Sequence, residues 1–183
     1  MKLDALFAVK DQKLISIDNT KTYNCADFVK IDDMSKLDAG AAADTIYLLE
    51  IPQSKVESEP EVYDEAFLAG LRDCLKALEE KNVFAVVKVV PKSAEIAGGD
   101  LQNDAVCNYV ACCKHTARRI KDCTSVTGFA IPDEYCGGVE AKAAYYIDEL
   151  YPKHKQYIFF VSQASYADAV SAESDGKENV CVM

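Results

Sequence analysis

The chain has no tryptophan, 2 histidines and 3 methionines, and only 8 glycines and 5 prolines in 183 residues. So little Gly and Pro leaves no linker-like tract, and residues 1–183 read as a single β/α domain, long enough to bury a real core. No apolar run approaches ~18 residues, which excludes a membrane-spanning helix. Basic residues are scarce: 20 Lys and Arg stand against 30 Asp and Glu, a formal charge of −10. That balance argues against nucleic acid as a partner and against docking on anionic membranes, since both need Lys/Arg-rich surface. The opening MKLDALFAVKDQKLISID has charges scattered through it and no apolar secretory core, so the expected location is cytoplasmic. Near the end, Cys181 is third from last, one place short of a prenylation box.

Cysteine is the exception, with 8 in the chain. Cys107, Cys112 and Cys113 fall in one helical stretch, with Cys123 just after it. No C-x-x-C pair occurs, and neither His115 nor His154 stands at ligand spacing from them. The expectation is no metal, no other cofactor and no disulfide, with eight reduced thiols serving as small apolar groups.

The first forty residues are irregular, with KLISID and DFVKID as short strands. From Thr45 the pattern is clear. TIYLLEIP is a strand that stops at Pro52, and QSKVESEPE is a charged loop. YDEAFLAGLRDCLKALEEKN is an amphipathic helix, with Phe67, Leu68, Leu71, Leu75 and Leu78 at helical spacing and Asn82 as a left-handed stop. VFAVVKVVP is a β-branched run suited to a strand covered on both faces. After the loop KSAEIAGGDLQ, Asn103 or Asp104 caps a helix through AVCNYVACCKHTARRIKDC. Strand SVTGFAIP, loop DEYCGG, helix VEAKAAYYIDELY and strand QYIFFVS follow, then a weaker helix SYADAVSAES and the apolar NVCVM. Strands alternating with helices imply parallel strands joined by right-handed crossovers. The fold class is α/β: an incomplete, barrel-like parallel β/α sheet of about six strands.

In such sheets ligands bind beyond the carboxyl ends of the strands. Glu50, Lys88, Asp133 with Glu134, and Ser162 with Gln163 stand at those ends. By alternation Ile46, Leu48 and Glu50 share a face, as do Phe84, Val86 and Lys88, and Gly128, Ala130, Pro132 and Glu134. Glu50, Lys88 and Glu134 are therefore candidates to converge on one polar site. The plainer alternative is a Glu50–Lys88 ion pair that only fixes register, with Asp133 capping a turn.

The segments EVYDEAFLAGLRDCLKALEEKNVFAVVKVVP, HTARRIKDCTSVTGFAIPDEY and AAYYIDELYPKHKQYIFFVS, together roughly residues 45–165, resemble cellulase-like glycoside hydrolases of the retaining (β/α)8-barrel clan. In that clan a strand runs to an Asn-Glu pair whose Glu is the general acid/base. The resemblance implies Glu134 as catalytic acid/base, and Glu50, Lys88, Asp133 and Tyr135, at or beside the strand ends, are the candidate substrate-binding residues around it. Asp133 replaces the clan's Asn, an acceptor where a neutral donor is usual. The clan's nucleophile is a Glu on the seventh strand, and this chain reaches only about six. Retaining hydrolysis needs two carboxyls about 5–5.5 Å apart, and Glu173 and Glu178 are not placed as the second.

The resemblance thus implies a shortened, glycosidase-like protein with impaired catalysis and carbohydrate as its ligand. Its ten tyrosines supply stacking faces in place of the missing tryptophan. Two alternatives remain open: an active glycoside hydrolase using Glu134, and a non-enzymatic interaction module on a β/α half-barrel. Because an unclosed sheet has two edges to cover, the expected assembly is a two-fold homodimer, the other option being the N-terminal segment folding back.

Overall fold

A computed structural model describes residues 3–38 and 40–183. Met1 and Lys2, in the opening stretch, and Ala39, in the loop before the first clear strand, lie outside the described residues.

The chain opens with an antiparallel meander, β1 (Phe7–Lys10), β2 (Lys13–Ser16) and β3 (Thr22–Tyr23). β4 (Val29–Ile31) and β5 (Ile46–Pro52) begin the main sheet. A short α1 (Gln53–Val56) and the hairpin β6 (Glu57–Glu59) and β7 (Val62–Tyr63) lead into α2 (Glu65–Glu79). Then come β8 (Phe84–Val90), α3 (Glu95–Gly98), α4 (Asp104–Arg119) and β9 (Val126–Ala130). The chain continues through α5 (Asp133–Cys136), α6 (Lys142–Leu150), β10 (Ile158–Val161), α7 (Tyr166–Ala169) and β11 (Val180–Val182).

β4, β5, β8, β9, β10 and β11 form one six-stranded sheet in that spatial order, every neighbouring pair parallel. Strand order therefore equals chain order, the topology of a β/α barrel that has not closed: β4 and β11 remain the two edges. The sheet curls. Phe28, just before β4, meets Phe160 of β10 with ring centroids 5.7 Å apart. A flat sheet would separate strands four places apart by roughly 19 Å.

Each face has its own core. Outside, Leu68, Leu71, Leu75 and Leu78 of α2, Val106, Tyr109 and Cys113 of α4, and Tyr146 and Ile147 of α6 pack against Leu49, Val87, Phe129 and Phe159. Inside, Ile46, Leu48, Val86, Ala130, Ile158 and Phe160 meet Phe7, Leu14 and Phe28 from the N-terminal region. Phe7 contacts Phe84 edge-on at 4.9 Å. The thiol of Cys181 in β11 reaches the Gln12 carbonyl at 3.2 Å. The meander thus supplies from within the chain some of the cover expected of a second copy.

Close approach explains one glycine. A Cβ on Gly128 would lie 1.8 Å from the Ile158 carbonyl oxygen of the neighbouring strand, so no side chain fits there. Asn82 has φ of 51°, the left-handed stop expected, and Asn103 caps α4 by accepting from the Ala105 N–H at 2.9 Å.

Candidate functional site

Glu50 and Lys88 are directly paired residues of β5 and β8, and their side chains leave the inner face beyond Leu48 and Val86. Lys88 Nζ donates to Glu50 Oε1 at 3.1 Å, with side-chain exposures of 20% and 36%. The pair therefore stands where the apolar fill gives way to solvent. Glu50 also borders a hollow of about 300 Å³ at the carboxyl ends of β4 and β5, with Asp32, Asp33, Lys55 and Phe67.

The strand parity expected from Gly128 to Glu134 breaks at Ala130, where β9 ends. Pro132 caps α5, and Asp133 and Glu134 occupy its first turn. Asp133 Oδ1 accepts from Ser162 Oγ at 2.6 Å and from Ser165 Oγ at 3.4 Å, linking the carboxyl ends of β9 and β10. Glu134 is exposed, with no hydrogen bond or ion pair to any described residue. Counted from β4, β9 is the fourth parallel strand, so this free carboxylate follows the fourth strand end.

Tyr135 stands elsewhere. It is fully buried on the helix side, its hydroxyl donating to the Lys142 carbonyl at 3.0 Å and its ring 4.9 Å from that of Tyr109. A single helical turn after β9 carries it round to that side, so it offers no face to a ligand. Burial pushes its hydroxyl pKa up.

The sequence reading missed what lies beneath α5. Lys142 is fully buried, and its ammonium donates to the carbonyls of Ile96, Ala97 (3.2 Å) and Tyr135 (2.9 Å), 5.4 Å from the Tyr135 ring centre. Burial lowers its pKa. Beside it opens a hollow of about 670 Å³, lined by Asp133, Gly137, Gly138, Glu140, Ser165 and Asp168 among others. Asp168 Oδ2 accepts from the Ala143 N–H at 2.8 Å, at the start of α6. The Gly137–Gly138 dipeptide was the available signal: both residues have positive φ, 56° and 73°, and a Cβ on Gly137 would meet the Ala97 oxygen at 2.0 Å.

The carboxyl ends of β5, β8, β9 and β10 thus carry an ion pair, a serine-held Asp133, a free Glu134 and a cavity rimmed by carboxylates and hydroxyls. These groups suit hydrogen bonding to a polyhydroxylated ligand. Among the described residues no group of three or more His, Cys, Asp or Glu side chains is placed to hold a metal ion.

No protein-family profile and no curated protein matches the chain. Solved structures do. The chain is similar to an endogalactoceramidase, with a TM-score of 0.60 and 11% identity, covering 98% of this chain and 59% of that one. It is also similar to GH5_18 from Bifidobacterium longum subsp. longum ATCC 55813, with a TM-score of 0.50 and 12% identity over 80% of this chain and 40% of that one. The chain therefore spans less than two thirds of either neighbour. At these identities the likeness is one of fold, that of the barrel glycoside hydrolases.

Proposed function

We propose that this chain binds carbohydrate at the carboxyl ends of β5 to β10 and is impaired as a hydrolase. One observation carries the reading. The two candidate carboxylates stand in different states: Glu134 is without a described partner, whereas Glu50 is tied to Lys88. A free Glu can hydrogen-bond a sugar or protonate a leaving group. Retaining turnover needs a second unencumbered carboxylate as nucleophile. The cavity beside Asp133 supplies acceptors and hydroxyls but no exposed aromatic platform, which favours hydrogen-bonded recognition of sugar hydroxyls.

The experiment pairs calorimetric titration of galactose- and glucose-containing oligosaccharides with assays on aryl glycosides. The expected result is saturable binding, weakened by Asp133→Ala, with turnover near background. Robust turnover abolished by Glu134→Gln would establish the active-hydrolase alternative. No binding to any glycan would favour the interaction module, which the apolar filling of the inner face supports.

A two-fold homodimer and a cytoplasmic location belong to the same reading. The dimer's support is the β4 edge, where Val29 is exposed on an outer strand of the sheet. Light scattering at micromolar concentration tests it, and a clean monomer would remove it.

A further inference from the structure

The helix-covered side of the sheet holds a second hollow, of about 530 Å³, between α4 and the segment joining α6 to β10. Its lining inverts the charge of the whole molecule. In a chain of formal charge −10, Lys114, Arg118, Lys121 and Lys153 gather here against the single carboxylate of Glu149. Both histidines of the chain, His115 and His154, line it too. Glu149 is taken by Lys114. His115 bonds Glu65 at 2.8 Å and stacks on Tyr63 at 3.7 Å between ring centres. Arg118, Lys121 and Lys153 have no acidic partner within ion-pair distance among the described residues. Like charges held together without counter-charge repel one another, so such a cluster favours occupancy by an anion.

A second observation points the same way. His154 is 5% exposed, and its Nδ1 is buried without a hydrogen-bond partner. Its backbone is fixed, the N–H donating to Tyr151 O at 3.0 Å and the carbonyl accepting from Tyr157 N–H at 3.1 Å. Its ring stacks on Tyr157 at 5.3 Å. His154 lines the hollow, and neither of its ring nitrogens hydrogen-bonds a described residue, so the edge of the ring that meets the hollow has its hydrogen bonding unspent.

We infer that this hollow is a binding site for a small phosphate-bearing molecule, with Arg118, Lys121 and Lys153 as the phosphate contacts and His154 as a hydrogen-bonding wall. The guanidinium presents paired donors to phosphate oxygens, and the two ammonium groups act as mobile point charges. The site lies on the connections that enter β9 and β10, at the amino ends of the strands. It is therefore separate from the carbohydrate site proposed at the carboxyl ends and does not rest on that reading.

The test uses the full chain with labelled histidine side chains, titrated with inorganic phosphate at constant ionic strength against a chloride control. The expected result is a saturable imidazole shift at His154 with millimolar half-saturation, and a higher pKa for His154 in the phosphate complex. Lys121→Gln with Lys153→Gln should weaken binding about tenfold or more, and Arg118→Gln alone should weaken it measurably. Glu134→Gln should leave it unchanged. All three cations are on the surface, so circular dichroism melts should match the parent. A phosphomonoester that binds tighter than free phosphate would identify the organic phosphate as ligand. Equal affinity would identify phosphate itself. Shifts that track chloride, or that survive the double substitution, would overturn the assignment. So would oligonucleotide binding far stronger than that of any phosphomonoester.

Discussion

Lys88 Nζ lies 3.1 Å from Glu50 Oε1, and the two residues are direct partners across β5 and β8. A one-residue slip of either strand would turn one of the charges toward the helix-side core, so the pair penalises misregister. Its net contribution is bounded by exposure, since the Glu50 side chain is 36% exposed. A double-mutant cycle with Glu50→Gln and Lys88→Met should give a coupling of about 0.5–1 kcal/mol. Most of it should vanish at ~1 M salt, where the screening length falls to about 3 Å. Zero coupling at low salt would remove the pair from any account of register.

Gly128 offers a sharper test. A methyl group there would sit 1.8 Å from the Ile158 oxygen, which lies on backbone and cannot swing aside. β9 and β10 would have to part, or the sheet would have to break locally. Gly128→Ala should cost roughly 3–5 kcal/mol, beyond the usual range for a point substitution. For a chain of this size that is a fall in Tm of roughly 6–20 °C. A variant melting within two degrees of the parent would contradict the close approach.

His154 gives the stability a definite pH signature. Burial, with Lys121 and Lys153 nearby, lowers its pKa from 6.5 to about 4. Tyr157 stacks on the ring. The folded state therefore holds the imidazole neutral while the unfolded chain binds a proton below about pH 6.5. Stability should be at its full value above that pH, fall as the pH drops toward about 4, and gain no further loss from this group below it. The loss should be on the order of 3 kcal/mol. Asp122, bound by Arg72 at 2.5 Å, has its pKa lowered by that bond and contributes its own loss at more acid pH. His154→Phe should flatten the upper window and leave the acid limb. A pH profile unchanged by that substitution would show that the imidazole is not held neutral.

The elements legible in the sequence are those specified by their own residues. β5 and β8 were readable as unbroken apolar runs, and α2 and α4 as 3.6-residue periodicities with caps in place. The Glu50–Lys88 pair followed from parity, because both residues lie within regular strands. Parity failed at Glu134 and Tyr135 because β9 ends at Ala130, and a helical turn then rotates successive side chains by about 100°. The segment QSKVESE reads as a polar loop, yet Gln53, Val56 and Glu57 are buried. Gln53 donates to Glu57 at 2.6 Å and accepts from the Lys92 N–H at 3.0 Å, a partner far along the chain. Lys142 is the same case, since the carbonyls that solvate it come from α3 and α5. The β1–β2 hairpin was hidden for a local reason. Its two-residue turn puts Asp11 and Gln12 at φ of 50° and 61°, positions where Asn-Gly is the usual signal.

The eight cysteines are all unpaired thiols in the structure, but two of them are poised to differ from the rest. Cys25 Sγ, just after the meander, lies 3.7 Å from Cys181 Sγ in β11. Either sulfur can donate in this contact; it lowers the pKa of Cys25, while the same contact and burial hold Cys181 as a thiol. Cys113 and Cys123 are pushed up to about 12 by burial and are poor nucleophiles. With diamide as oxidant, the Cys25 thiolate should be captured first and Cys181 should then displace the adduct. The two thiols give up two electrons and two protons to the diazene, which leaves as the hydrazine. Thiol titration of the denatured protein should then fall from eight groups to six, and a non-reducing peptide map should contain a Cys25–Cys181 link. That link closes a loop between residues 156 positions apart, joining the N-terminal meander to the last strand. By loop entropy it should stabilise the fold by up to about 5 kcal/mol, less any strain. Cys25→Ser should abolish both the loss of two thiols and the rise in Tm. Eight reactive groups after diamide, or a map dominated by another pair, would show that the meander does not hold Cys25 against β11.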